Sequence, residues 1–170
     1  MLLLESERLL LRHFHSLDGE PMMRVFGDRQ VMRFGDGVRT RDWVDHWIAT
    51  CLEDYRTRGF GPYAVIEKAR QRLIGYCGLF FFPGVNGQAE VEIGYRLERL
   101  AWGQGYVTEA AGAVREYAFS SLGMGRLISL IDPANLASIR VAEKIGMQYE
   151  GEVKFEGYTH PDHVYAINRV

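Results

Sequence analysis

The chain has 170 residues, with 20 Lys and Arg against 22 Asp and Glu and a formal net charge of −2. That length suits one domain, 1–170, with a real buried core, and the near-neutral charge excludes a surface built to coat nucleic acid, which needs a basic excess. Two cysteines exclude a disulfide scaffold, and the opening MLLLESERLLL, broken by Glu5, Glu7 and Arg8, contains neither a signal-peptide core nor a spanning helix, so the expectation is a cytoplasmic protein without a membrane partner.

Leu9, Leu11 and Phe14 alternate with polar neighbours and read as a first strand, followed by a short helix from Asp18 to about Gly27. From Thr40, the residues Trp43, Val44, Trp47, Ile48, Cys51, Leu52 and Tyr55 recur at helical spacing, and Gly59 supplies a stop. Pro62 to Glu67 and Arg72 to Phe82 read as strands either side of a charged turn, with Phe80, Phe81 and Phe82 suggesting burial on both faces. Asn86-Gly87 is a hairpin signal before a strand at Glu90. Val107, Ala111, Val114, Ala118 and Leu122 mark a helix ended by Gly123, and Leu127 to Ile131 a buried strand. Pro133 and Asn135 open a further helix through Ile139, Ala142 and Ile145, capped by Gly146, and two strands surround a turn at Gly157 to Asp162. The sum is a mixed α/β sheet with helices on both sides.

The most informative stretch is Glu90 to Ala110, EVEIGYRLERLAWGQGYVTEA, where an alternating strand runs through a glycine turn into a helix. Free backbone N–H groups and the positive end of the helix dipole converge there, which suits phosphate oxygens. A dinucleotide fingerprint does not fit, because Thr108 stands at the third glycine and the preceding strands are hairpins. A nucleoside-triphosphate loop does not fit either, since G-x-x-x-x-G-K-S/T is missing.

The strand with Glu92, Gly94 and Tyr95, the run WGQGYVTEA and the later NLASIRVAEKIGM together resemble the GNAT N-acetyltransferases. Trp102 in W-G-x-G-Y is similar to the RimJ/RimL-type branch. The resemblance covers nearly the whole chain and implies the GNAT fold, an α/β (α+β) arrangement with a mostly antiparallel central sheet flanked by helices on both faces. It implies acetyl-coenzyme A as cosubstrate, no metal, and an amine acceptor that is either a protein or peptide N-terminus or a small amine such as a polyamine or antibiotic. A monomer or homodimer is expected.

By the same resemblance, the backbone from Gly103 through Gln104, Gly105, Tyr106 and Val107 to Thr108 holds the pyrophosphate, next to Trp102. Val107 is larger than the glycine or alanine usual at its place. Asn135 is either a helix N-cap or a pantetheine ligand, or both, and Arg140 is either a phosphate contact or a solvated arginine. Many GNATs carry a tyrosine where this chain has Ala142, which leaves Ser138 as the hydroxyl that would assist the departing thiolate. A backbone donor between Tyr95 and Leu97 would face the oxyanion. Phe34, Trp43, Trp47 and Tyr158 are the acceptor-pocket candidates, and Glu109, in the first helical turn, reads as structural.

An amine must lose its proton before it attacks a thioester, so the site needs a base. Glu90 and Glu92 share one strand face while Val91, Ile93 and Tyr95 share the other. Glu92 matches the branch's E-I/L-G-Y run and is the expected general base, with Glu90 the alternative. Its loss is expected to slow turnover chiefly at low pH. His160 and His163 flank Asp162 without further ligands at zinc-like spacing.

Overall fold

The computed structural model describes residues 2–170. In chain order the elements are β1 (Leu2–Glu5), β2 (Leu9–Arg12), a 3-10 turn (Ser16–Asp18), α1 (Gly19–Phe26), α2 (Arg41–Thr57), β3 (Pro62–Glu67), β4 (Arg72–Val85) and β5 (Gln88–Leu97). A second 3-10 turn (Arg99–Ala101) leads to α3 (Tyr106–Ser120), β6 (Arg126–Ile131), α4 (Leu136–Lys144), β7 (Gln148–Val153) and β8 (Asp162–Asn168). They form one eight-stranded sheet in the order β1-β2-β3-β4-β5-β6-β8-β7. Every pairing is antiparallel except β5 with β6.

Local chemistry accounts for the joints. Asn86 and Gly87 sit at φ 48° and 87°, the left-handed pair that a two-residue hairpin needs to match strand twist. Thr40 caps α2 by accepting the Trp43 N–H at 3.2 Å. β1 is an additional edge strand that alternation did not reveal, and Phe14 lies past the end of β2.

Two apolar layers enclose the sheet. On one face α3 lays Ala110, Ala111, Val114 and Ala118 on Leu79, Ile93 and Leu97, and α4 adds Ala142. The small residues let α3 approach the strands closely. On the other face α1 and α2 bring Met22, Phe26, Val44 and Ile48 against Ala64, Leu73 and Tyr76. Trp43 and Trp47 pack into this layer, their rings meeting Phe26 edge-on. They therefore belong to the core rather than to an acceptor pocket. A smaller apolar group, Val85, Ile128, Val153, Val164 and Ala166, gathers around β6, β7 and β8.

The phenylalanine run is not buried on both faces. Phe80 and Phe82 are half-buried, whereas Phe81 is 39% exposed, with the Arg58 guanidinium 4.6 Å above its ring. Its face extends beyond α3, and the cation covers the ring instead of a helix.

Candidate active site

The site begins where the parallel pair stops. β5 and β6 meet with Glu92 opposite Ile128. A regular parallel ladder would next join the Leu130 N–H to the Ile93 carbonyl. Instead, Leu130 N–H donates to the Glu92 carboxylate at 3.0 Å, and the Ile93 carbonyl accepts from Ser129 Oγ at 2.9 Å. Side chains replace the next rung, and the strands diverge. By strand alternation the N–H and C=O of Tyr95 point the same way as the Ile93 carbonyl, into the opening. The Leu97 carbonyl, next in that series, accepts from Trp102 Nε1 at 2.8 Å.

A cleft of about 800 Å³ passes through this opening and reaches both faces of the sheet. On the α3 side it is bordered by Gly103, Gly105, Val107, Thr108, Ser138 and Arg140. Gly103 and Gly105 have φ 72° and 79°, so the turn coils left-handedly into α3, and no side chain caps that helix. The N–H groups from Gly103 to Thr108 have no acceptor among the described residues. The donors from Tyr106 to Thr108 are those that any helix start leaves free, and the glycine turn adds those of Gly103 to Gly105, a series suited to an anion.

The back of the turn is clamped. The Arg8 guanidinium donates to the Gln104 carbonyl at 2.7 Å and to Glu109 at 2.7 Å, while Glu109 also accepts the Arg8 N–H at 2.7 Å and the Ser6 hydroxyl at 2.6 Å. Tyr106 is buried and donates to Glu67 at 2.8 Å. Holding the Gln104 carbonyl on the Arg8 side turns the neighbouring N–H groups toward the cleft. Glu109 is the structural anchor its position suggests.

At the second helix, Asn135 Oδ1 accepts the Ser138 N–H at 3.2 Å, so Asn135 is the N-cap of α4, with its Nδ2 left over. The Tyr95 hydroxyl donates to the Ser138 carbonyl at 3.2 Å, which ties α4 to the diverging strand. Ser138 is half-buried and borders the cleft.

On the α1 side the cleft is lined by Phe34, Tyr76, Phe80, Glu92, Arg96 and Asp162, among others. A Cβ at Gly94 would lie 2.8 Å from the Phe80 ring and would displace it. Burial pushes the Glu92 carboxyl up to about 7, with the Asp162 charge adding to the rise and the Leu130 N–H and Arg96 opposing it. Burial also raises Asp162, with help from Asp132. Glu92 can therefore take up and release a proton near neutrality.

The residues expected from the sequence separate clearly. Glu92, Tyr95, Ser138, Asn135, Arg140 and the glycine turn converge on the cleft. Glu90 is 6% exposed, borders a different pocket, and is held by Arg126 Nε at 3.0 and 3.2 Å. Tyr158 contacts Asp36 at 3.3 Å rather than lining the cleft. His160 pairs with Asp132 at 3.2 Å, and His163 lies 3.7 Å from Glu152. Tyr76, Arg96 and Ser129 were missed. Arg96 carried a signal, since it shares the strand face of Glu92 by period two.

Residues 8–148 match the family described as acetyltransferase (GNAT) domain. YkkB of Bacillus subtilis (strain 168) is 33% identical over 152 residues, covering 89% of this chain and 88% of that protein. The crystal structure of a GNAT-family acetyltransferase from Bacillus anthracis is 30% identical with a TM-score of 0.81, covering 96% of each chain. RimL, the ribosomal L7/L12 alpha-N-protein acetyltransferase solved with coenzyme A, shares the fold at a TM-score of 0.81 and 17% identity, over 99% of this chain and 98% of that one.

Proposed function

The chain belongs to the GNAT acetyltransferase family, and on that basis we propose that it transfers acetyl from acetyl-coenzyme A directly to a primary α-amine, such as a peptide N-terminus, with both substrates in one cleft. It is an acyltransferase. The observation that carries the finer reading is Glu92, facing the cleft at the strand divergence with its carboxyl near 7. Such a base is closely matched to an α-ammonium of pKa ~7.7–8.0 and about three units short of a lysine-like ammonium at ~10.4.

The residues present suit acetyl-coenzyme A. The free N–H groups from Gly103 to Thr108 would hold its pyrophosphate, with Trp102 steadying the turn and Arg140 beside it. The free edge of Tyr95 near Leu97, and the spare Nδ2 of Asn135, would pair with the amides of its pantetheine arm. When bound, it supplies an activated acyl group and a thiolate leaving group. Glu92 takes the proton from the attacking nitrogen, directly or through water. The Tyr95 N–H is aimed into the opening, where it would meet negative charge developing on the acyl oxygen. Ser138 Oγ would donate to the departing sulfur.

The test is thiol release from acetyl-coenzyme A with N-terminal peptides, a blocked lysine and a polyamine side by side. Release with α-amines foremost is the expected result. Preference for the polyamine would favour the small-molecule reading, and release with none would leave an acyl-coenzyme A binding module. For Ser138→Ala, the rate is expected to fall far more than cofactor affinity, and the deficit should shrink as the leaving thiol of a thioester series becomes more acidic. A constant wild-type to variant ratio across the series would show that Ser138 only positions the cosubstrate.

A further inference from the structure

We propose that the acceptor half of the cleft contains an anion subsite formed by Arg96 and Tyr76, and that the acceptor is therefore a primary amine that also carries a carboxylate. The amine's role rests on the transferase reading above; the anion subsite rests on its own geometry. Tyr76 is 6% exposed and lines the cleft, and its hydroxyl accepts from Arg96 Nη1 at 3.3 Å. The hydroxyl's own proton has no acceptor among the described residues. The phenol is held neutral, since burial raises its pKa more than Arg96 lowers it.

Arg96 is half-buried and enters no ion pair among the described residues, unlike Arg8, Arg12, Arg24 and Arg126. Its Nη2 passes over Gly35, 2.7 Å from where a Cβ would stand. A neutral phenol and an unpaired guanidinium thus present adjacent donors to one region of the cavity, the arrangement that carboxylates select. No carboxylate lies within ion-pair distance of Arg96 among the described residues, and the Glu92 charge acts on it only from farther off, so its free donors remain for an anionic ligand to meet.

The charge pattern adds direction. Glu92, Asp162 and Arg96 all line this half of the cleft, and the charges of both Asp162 and Arg96 act on Glu92. Glu92 and Arg96 lie four residues apart on one strand face, roughly 13 Å between Cα atoms. An amine at Glu92 and a carboxylate within that distance, at Arg96, complement both groups. A polyamine would place a second cation against Arg96.

Two sources supply this chemistry, an acidic peptide N-terminus and a free amino acid. The experiment measures equilibrium binding to the protein saturated with coenzyme A, using Ala-Asp against Ala-Asn in amide-capped peptides, and alanine against its amide. In at least one pair the carboxylate member is expected to bind ten- to a hundredfold tighter. Arg96→Gln should reduce that preference to within about twofold, Tyr76→Phe should reduce it in part, and Arg96→Lys should retain some of it. Affinity for coenzyme A should not change. Equal binding of both members in both pairs, or a preference that survives Arg96→Gln, overturns the subsite. Because the readout is binding, thiol release can fail while the subsite stands, and the reverse.

Discussion

Replacing Glu92 by glutamine is expected to slow acetyl transfer by ~10²–10⁴-fold while leaving affinity for coenzyme A nearly unchanged, because in the proposed mechanism the lost group accepts a proton and holds no part of the cosubstrate. The pH window follows from the raised carboxyl. Below about 7 the wild-type carboxyl is itself protonated, and above the pKa of the amine the nucleophile is already free. The deficit should therefore be greatest from about pH 7 to the amine's own pKa, and narrow on both sides. This corrects the expectation of a defect chiefly at low pH, which assumed an ordinary carboxylate. Stability should move the other way. A carboxyl whose folded pKa lies above its unfolded value favours the fold at low pH and loses that contribution as pH rises to about 7, by at most about 3.5 kcal/mol. Relative to wild type, the glutamine variant should gain in Tm between pH 4.5 and 8. A rate that is unchanged across pH would assign the base elsewhere, and with Glu90 held by Arg126 the remaining acceptors would be Asp162 and water.

The second large effect is expected at Gly105. Its φ of 79° is left-handed, where a β-branched residue is strained, yet a Cβ there would meet only the end of Arg8, at 3.4 Å. Gly105→Val should therefore leave the core packed but rotate the N–H groups that open α3, weakening coenzyme A binding roughly tenfold or more. Gly112→Ala is the control, since that helical position has nothing within 4 Å of an added Cβ. Calorimetry with coenzyme A compares the two. A folded Gly105→Val protein with wild-type affinity would remove this turn from the cosubstrate site.

Much of this was legible in the sequence because it is local. Strand alternation at Glu92, the paired glycines before α3 and the N-cap at Asn135 are each written within a few residues. What was not legible depends on distant partners. Nothing near Glu90 announces Arg126, so its burial as an ion pair could not be told from a solvated face. Trp43 and Trp47 looked available for a pocket until α1 brought Phe26 against them. The anchoring of Glu109 by Ser6 and Arg8 joins segments about a hundred residues apart, and only the helix-dipole argument hinted at it. The raised carboxyl of Glu92 likewise needs the depth of the cleft and Asp162.

The strand order has a consequence for how the protein is made. β8 lies between β6 and β7, so β6 gains its full antiparallel partner only from residues 162–168. Its other neighbour, β5, grips it at Glu92 and Ile128 and then diverges. During synthesis, the chain through β5 and α3 can already assemble the glycine turn and its Arg8 clamp. The far wall of the cleft must wait until translation has passed Asn168. A nascent chain halted before β8 should therefore present a formed glycine turn beside an open sheet edge, a species inclined to pair with another chain until the last strand inserts.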